Sequence, residues 1–356
     1  MPSPTATEKL PLNPAWYHIR RSLCRREHVY YNLENALRVN PNVKGFAFVF
    51  FMGIGDYLYT TPVWEKLKEK FPQLPFYAYV GAKFDRTNSP LVGKVLEENP
   101  YFEKVFYFNG IRHPRIWKNY DYSEILPQVP AGFLVVPVYY EYSVHTSHRV
   151  HSLFETFGIP VPKEVPVPKM YFPRKIALNI QGYLEQVRNG AKGKKGIVFL
   201  QLDSRSSNYT YPYVRELAEE LIVSGYYVMS VTKGGPTENP FYLELDIKKM
   251  SINQTWQLLA LLKKEYSLYV ISVVSVFWAA SAGLGVPNLG MQHWIDEKIH
   301  NVWYPNIEVI TSHLYPLLPR EKQCLAPTES FTPHHKKMVN YKPHWVMRWF
   351  KEKLEH

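Results

Sequence analysis

Short apolar runs alternate with amphipathic stretches along the chain from residue 44 onward. Runs such as 45–51 and 75–81 are almost continuously apolar and rich in aromatic residues, as expected of strands that are buried on both faces. The intervening stretches, such as 61–71 and 143–157, carry the spacing of helices that pack one face against a sheet. This alternation predicts parallel sheets with crossover helices.

The alternation occurs twice, before and after a proline-rich segment. Prolines at 160, 162, 166, 168 and 173 exclude a regular helix there, so the segment is interpreted as a stiff connector between domains. We predict an α/β domain at 44–172 and a second at 173–330, flanked by a basic extension at 1–43 and a C-terminal segment at 331–356. Further strands are predicted at 104–108, 132–140, 195–203, 226–235 and 268–274.

Composition narrows the class of protein. Two cysteines exclude a disulfide framework, and no apolar run reaches the roughly 20 residues of a membrane-spanning helix. The polar, proline-rich start lacks the pattern of a secretory signal, which makes the cytoplasm the expected compartment. A net charge of +11 indicates an anionic partner: nucleic acid, an acidic membrane surface or a phosphate-bearing small molecule. The basic, aromatic segment 334–356 fits either a helix on an anionic membrane or one packed across the protein.

The first predicted strand runs into a glycine turn that carries an acid. Gly53 and Gly55 allow a tight turn before a helix, and Asp56 follows them directly. Neither a dinucleotide-binding turn nor a Walker loop fits, because Leu58 takes the place of a third glycine and no G-K-S/T follows. An acid at the carboxyl end of a parallel strand is suited to act as a general base. The alternative is that Asp56 only caps the following helix.

The sequence gives little support for a metal site or for a serine or cysteine nucleophile. His148 and His151 share a helical face, but no third ligand at metal spacing accompanies them, so we do not predict a metal site. The chain has no G-x-S-x-G motif, and neither cysteine lies in a recognisable nucleophile setting.

Several segments resemble one known family in the order in which they occur. The segment GIGDYLYTTPVWEKLKEKFPQLPFYAYVG, the turn GGPTE at 234–238 and the helix and strand AASAGLGVPNLGM are similar to the ADP-heptose:lipopolysaccharide heptosyltransferases, glycosyltransferase family nine. The similar segments span roughly residues 44–312. The resemblance implies the GT-B architecture: two doubly wound parallel-sheet domains that face each other across a cleft, with a C-terminal helix that crosses back to the first domain.

The resemblance also implies an inverting, metal-independent transfer without a cofactor. A sugar passes from a nucleoside-diphosphate sugar to a hydroxyl of a glycan, lipid-linked or other anionic acceptor, and Asp56 is the general base. The expected acceptor-side residues are Gly53, Gly55, His148 and Arg149. The expected donor-side residues are Arg205, Tyr209, Lys233, Gly234, Gly235, Glu238 and Ser275. Peripheral contact with an anionic membrane is expected as well, whereas nucleic acid is not.

The chain departs from the family pattern at the donor side. Val274, Ser275 and Val276 stand where the family usually has D-T-G. The family's histidine and lysine are replaced by Ala279 and Tyr209. Two alternatives follow. Either the donor is held differently, by Arg205, Tyr209 and Lys233, or the chain binds a nucleotide, polysaccharide or nucleic acid without transferring a sugar.

Overall fold

The computed structural model divides into two compact units, one before and one after the boundary between Tyr171 and Phe172. The boundary predicted from the sequence lies one residue later, between residues 172 and 173. The structure describes residues 17–21, 27–31, 33–50, 54–81, 94–108, 125–138, 149–203, 210–246, 249–273, 275–292, 304–311 and 341–355.

The first unit contains a four-stranded parallel sheet and a separate hairpin. Its elements are β1 (Tyr17–Arg21), β2 (Glu27–Tyr31), α1 (Leu33–Val39), β3 (Gly45–Phe50), α2 (Ile54–Lys70), β4 (Phe76–Gly81), α3 (Lys94–Glu97), β5 (Lys104–Phe108), β6 (Phe133–Val138) and α4 (Arg149–Thr156). The sheet order is β5-β4-β3-β6, and each pairing is parallel. Strands β1 and β2 form an antiparallel hairpin within the predicted basic extension.

An aromatic cluster holds α2 against the central strand of this sheet. The fully buried ring of Trp64 lies 4.8 Å from the ring of Phe48, 5.0 Å from Phe102 and 5.7 Å from Phe157, centroid to centroid. Tilted and edge-to-face pairs of this kind contribute about 0.5–1.5 kcal/mol each beyond the burial of their area. The packing therefore fixes the direction in which α2 leaves β3.

The second unit contains a six-stranded sheet that is also parallel throughout. Its elements are α5 (Leu178–Gly190), β7 (Ile197–Gln201), α6 (Val214–Val223), β8 (Tyr227–Ser230), β9 (Tyr242–Glu244), α7 (Ile252–Leu262), β10 (Leu268–Val273), α8 (Val276–Leu284), β11 (Asn288–Gln292), β12 (Ile307–Thr311) and α9 (Pro343–Lys353). The sheet order is β12-β11-β10-β7-β8-β9. The prediction of two doubly wound parallel-sheet units is confirmed.

Local sequence signals account for several helix ends in the second unit. Ser251 caps α7 as predicted: its hydroxyl accepts from the Gln254 N–H, and the Gln254 side chain accepts from the Ser251 N–H, which completes a capping box. Helix α8 begins after Ser275 and ends at Gly285, whose φ of 61° is the left-handed conformation that glycine adopts at little cost.

The proline-rich segment between α4 and α5 contains neither helix nor strand, as its prolines predict. It is attached to the first unit by polar contacts. His151 of α4 is buried, and its Nε2 lies 3.3 Å from the carbonyl oxygen of Glu164. This contact gives the histidine a structural role in holding the connector.

The C-terminal helix α9 packs within the second unit. Val346, Met347 and Phe350 of α9 are buried in one cluster with Leu217 and Leu221 of α6. The apolar stripe of α9 recurs at positions 346, 347, 350 and 354 and is covered by α6 and the neighbouring strands. The expected crossing of this helix to the first domain stays a prediction.

Candidate functional site

Both sheets contain a topological switch point, where the chain changes the direction in which it adds strands. In the first unit it lies between β3 and β6, because β4 and β5 are added on the other side of β3. In the second unit it lies between β7 and β10 for the same reason. Open α/β sheets bind ligands beyond the carboxyl ends of the strands at such points. The connections that follow these four strands are therefore the candidate site segments.

Asp56 lies on the connection that follows β3. Helix α2 begins at Ile54, so Gly55 and Asp56 are the second and third residues of its first turn. The backbone therefore brings Asp56 to the carboxyl edge of the sheet, next to the switch point. The predicted alternative, that Asp56 is the N-cap, does not fit, because the helix begins two residues before it. The side chain of Asp56 and the whole of Gly53 lie outside the described residues.

The prediction that this helix starts at residue 61 is wrong, and two threonines explain the difference. Pro62 lies inside α2 and has no N–H to donate to the carbonyl of Leu58. The Thr61 hydroxyl donates to that carbonyl instead, at 2.7 Å. The Thr60 hydroxyl donates to the carbonyl of Tyr57, also at 2.7 Å, and accepts from Trp64 Nε1 at 2.9 Å. The helix therefore continues through the proline.

The connection that follows β6 carries the other predicted acceptor-side residues. His148 lies outside the described residues, and Arg149 is described only as the first residue of α4. In the chain, His148 ends the β6–α4 connection and Arg149 begins α4, on the other side of the switch point from Asp56. Chain topology thus places the predicted acceptor-side residues on the two connections that flank one switch point. Their side-chain positions stay predictions.

A hydrogen-bonded network joins the carboxyl ends of β7, β8 and β10 in the second unit. The Ser275 hydroxyl donates to Gln201 Oε1, and Gln201 Nε2 donates to the carbonyl of Asp203. The Thr232 hydroxyl donates to the Asp203 carboxylate at 3.1 Å and accepts from the Leu202 N–H at 2.7 Å. Thr232 is buried and Asp203 is exposed. The network therefore holds a carboxylate at the edge where a ligand is expected.

The first turns of α8 are held in place by hydrogen bonds from Asn288, the first residue of β11. Asn288 Nδ2 donates to the carbonyl of Phe277 at 3.3 Å and to the Ser281 hydroxyl at 2.9 Å. Ser275 is the N-cap of this helix: its hydroxyl accepts from the Phe277 N–H at 3.1 Å. Both the donor and an acceptor site of the Ser275 hydroxyl are thus used within the protein. This fits a structural role, and a contact from Ser275 to a ligand stays a prediction.

The double glycine after β8 forms a turn that no other residue fits well. Gly234 has a φ of 95°, and a Cβ at Gly235 would lie 2.1 Å from the ring of Tyr242. The ring of Tyr242 is buried, so it has little room to move. Lys233, immediately before this turn, is exposed. The turn brings Lys233 to the same edge of the sheet as Asp203.

Glu238 has a partner on a neighbouring helix. Its carboxylate accepts from the guanidinium of Arg215 of α6, which also contacts Glu219 at 3.1 Å. A hydrogen bond from its own backbone N–H, and then Arg215, lower the pKa of the Glu238 carboxyl. Glu238 is exposed, and its predicted role toward ribose hydroxyls would require the ligand to share or displace Arg215.

Two predicted donor-side residues, Arg205 and Tyr209, lie outside the described residues, on the β7–α6 connection. Sequence reasoning did not single out Gln201, Asp203 or Thr232. Their signal is positional, because each lies at the carboxyl end of β7 or β8 or within two residues after it. Among the described residues, no group of three or more His, Cys, Asp or Glu side chains is placed to hold a metal ion. None of the described helices has the length and apolarity needed to span a bilayer.

Comparisons with known proteins give matches of structure alone. No protein-family model and no curated protein matches the sequence. A family 9 glycosyl transferase from Veillonella parvula is similar with a TM-score of 0.58 at 12% identity, over 86% of this chain and 96% of the other. The ADP-heptose lipopolysaccharide heptosyltransferase II of Escherichia coli is similar with a TM-score of 0.56 at 11% identity, over 86% and 98%.

At such identities the likeness concerns the fold and not the chemistry. It extends over both α/β units, because 86% of the chain is covered in each case. The fold that the sequence motifs imply is thereby confirmed. The chain has the fold of the solved glycosyltransferases of family nine.

Proposed function

We propose that the chain is a glycosyltransferase that moves a sugar from a nucleoside-diphosphate sugar to a hydroxyl acceptor, with Asp56 as general base. The observation that carries the proposal is the position of Asp56 in a fold shared with family-nine glycosyltransferases. It lies in the first turn of the helix after β3, beside the switch point of the first unit. That is the edge where ligands meet an open parallel sheet.

The proposed reaction is a single displacement with inversion at the anomeric carbon. The Asp56 carboxylate takes the proton of the acceptor hydroxyl while that oxygen forms a bond to the anomeric carbon. The bond from the anomeric carbon to the diphosphate breaks, and the nucleoside diphosphate leaves with the electron pair. No cofactor beyond the donor takes part in this proposal.

The leaving diphosphate requires positive potential, which this chain can supply from its own groups. Lys233 carries a charge at the carboxyl edge of the second sheet, and Arg205 is on the adjoining β7–α6 connection. The N-terminus of α8 adds the partial positive charge of a helix dipole. Preorganised groups of this kind act where charge develops in the transition state.

Asp203 suggests which part of the donor lies at the end of β7. Its exposed carboxylate, oriented by Thr232, repels phosphate and accepts hydrogen bonds from hydroxyl groups. We therefore assign it to a hydroxyl-bearing part of the donor, the ribose or the transferred sugar. The diphosphate is assigned to the side of Lys233 and α8.

The direct test replaces Asp56 with Asn. A panel of ADP-, UDP-, GDP-, CMP- and dTDP-sugars is first screened by thermal shift, since a donor at a hundred times its Kd adds about 2.7 kcal/mol of stability. Transfer is then followed as release of the nucleotide in the presence of glycan or lipid-linked acceptors. We expect Asp56→Asn to lose transfer by at least about a hundredfold and to keep the donor-induced shift, because general-base catalysis contributes about 10²–10⁴-fold.

Glu69→Gln is the matched control for this test. Glu69 is an exposed carboxylate in the last turn of the same helix, paired with Lys66. The Glu69→Gln variant should transfer sugar at the wild-type rate. Equal rates for the wild type and Asp56→Asn would reject Asp56 as the base.

A second candidate function is binding of a nucleotide or glycan without transfer. The observation that favours it is the engagement of Ser275, whose hydroxyl is used by Gln201 and Phe277. It stands where the family has a D-T-G motif. A thermal shift with one nucleotide sugar but no release of nucleotide with any acceptor would favour this candidate.

The proposed partners follow from the reaction and from the charge of the chain. They are a nucleotide-sugar donor, a glycan or lipid-linked acceptor and, through α9, an anionic membrane. The proposed location is the cytoplasm, peripheral to the membrane.

A further inference from the structure

The interdomain connector is docked on the helix that carries Asp56. The backbone N–H of Lys169 donates to the Thr61 hydroxyl oxygen at 2.7 Å, and Lys169 Nζ donates to the carboxylate of Glu65, one helical turn further on. The hydrogen bond from Lys169 lowers the pKa of the Glu65 carboxyl, which keeps it ionised at neutral pH. One residue of the connector therefore contacts two successive turns of α2.

The Thr61 hydroxyl has a second bond at the same point. It donates to the Leu58 carbonyl, which Pro62 leaves without its usual helical N–H. Thr61 is fully buried, so water cannot replace the hydroxyl. Leu58 directly follows the first turn of α2, which contains Asp56, so the next turn of the helix is closed in part through a side chain that also binds the connector.

The connector is anchored again four residues later. Gln257 Nε2 of α7 donates to the carbonyl of Pro173 at 3.0 Å, within the second unit. Only residues 170–172 separate this anchor from Lys169. A change in backbone conformation between the two anchors must therefore occur within residues 170–172, or it must displace Lys169 from Thr61.

We infer that Thr61 and Lys169 are positioning residues, which couple the interdomain connector to the helix turn that holds Asp56. The inference rests on the proposed function for its kinetic consequence only. The Lys169 N–H and the Leu58 carbonyl share one hydroxyl, so displacement of the connector weakens the turn on which the first turn of α2 rests. The base is then correctly placed only while the connector is seated on α2.

The test uses Thr61→Val, which keeps the shape of the side chain and removes the hydroxyl, and Thr61→Ser, which restores it. Amide hydrogen exchange is measured for residues 54–60, together with kcat and the donor KM. We expect faster exchange at 54–60 in Thr61→Val and a fall in kcat of about tenfold with the donor KM unchanged, because small displacements of reacting groups are costly. Thr61→Ser should recover both.

Thr255→Val is the matched control. The Thr255 hydroxyl is likewise buried and donates to a carbonyl one turn back in its helix, Ser251 at 3.2 Å. It lies in α7 and should leave exchange at 54–60 and kcat unchanged. Wild-type exchange at 54–60 in Thr61→Val, or the same change in Thr255→Val, would overturn the inference.

Lys169→Met provides a variant that keeps Thr61 and loses only the ion pair with Glu65. Exchange should rise together at 54–60 and at 166–171, and a rise confined to 166–171 would contradict the coupling. If the wild type transfers no sugar from any donor, the proposed function fails. The exchange measurements still decide whether the connector and the first turn of α2 are coupled.

Discussion

Single residues fix the turn that leads from β8 toward the candidate donor site. At Gly235 the reason is space, since an added Cβ would lie 2.1 Å from the ring of Tyr242. At Gly234 the reason is the backbone: its φ is 95°, which favours glycine, although no atom lies within 4 Å of an added Cβ. The sequence pattern alone does not separate these two reasons, and both are independent of any ligand.

We expect Gly235→Ala to destabilise the second unit by about 1–3 kcal/mol, because the overpacked ring of Tyr242 is buried and must shift. The loss is measured as the change in free energy of unfolding by urea. Gly182→Ala in α5 is the control: nothing lies within 4 Å of its added Cβ, so the helix should gain about 0.5–1 kcal/mol. Wild-type stability of Gly235→Ala would show that the turn relaxes freely.

The sequence predicts where a functional group lies along the fold better than it predicts which groups that functional group contacts. Ser275 lies between β10 and α8, and Glu238 lies on the connection from β8 to β9. The sequence does not show that Gln201 and Phe277 use the Ser275 hydroxyl, or that Arg215 pairs with Glu238. These contacts join residues from separate elements, so they depend on the packing of the whole unit.

At the level of elements, hydrophobic periodicity predicts the strands of both sheets well and the helix boundaries less well. The central strands β3, β7 and β10 are almost entirely apolar because both of their faces are buried, and the polar exceptions are Gln201 and Ser272. The start of α2 is predicted seven residues too late, since Pro62 normally marks the first turn of a helix. The hydrogen bond from the Thr61 hydroxyl to the Leu58 carbonyl compensates for the missing N–H of Pro62, so the helix begins before the proline.

Helix α9 is an element whose packing determines stability. Phe350 is fully buried, and its ring lies 5.4 Å from the rings of both Tyr226 and Tyr269, edge to face. We expect Phe350→Ala to cost about 3–5 kcal/mol, because it leaves a cavity beneath the helix. Differential scanning calorimetry would show this as a lower Tm.

Trp345→Ala on the same helix is the control for this prediction. Trp345 is 43% exposed, so its truncation should change stability by less than about 0.5 kcal/mol. An equal fall in Tm for both variants would mean that α9 is held by its outer face and not by its apolar stripe.

For the molecule as a whole, the fold tolerates almost complete replacement of the sequence. Identities of 11% and 12% with solved family-nine structures are compatible with similar folds because the core demands apolar strands and apolar residues at helical spacing, and not particular residues. The segments that resemble the family are the turn after β3 with α2 and β4, the turn after β8, and α8 with β11. The predicted donor side departs from the family motifs, so the resemblance does not specify the sugar or the nucleobase of a donor.

The charge of the whole molecule bears on its proposed place at a membrane. The net charge is +11, and residues 342–355 contain four basic and two acidic side chains. On the outer face of α9, Trp345 and Lys351 are exposed, and the rings of Trp345 and Trp349 lie 6.5 Å apart. Exposed tryptophan beside basic residues suits the interface of an anionic bilayer.

We therefore expect the protein to sediment with vesicles that contain anionic phospholipid and not with neutral phosphatidylcholine vesicles. Each basic residue near the surface contributes about 1 kcal/mol, so binding should weaken steeply between low and physiological salt. Trp345→Ala and Lys351→Gln should each reduce binding at unchanged Tm, since both side chains are exposed. Phe350→Ala is the control: it lowers the Tm but keeps the exposed residues, so it shows the effect on binding of destabilising the helix itself. Undiminished binding of Trp345→Ala and Lys351→Gln would place the membrane contact elsewhere on the basic surface.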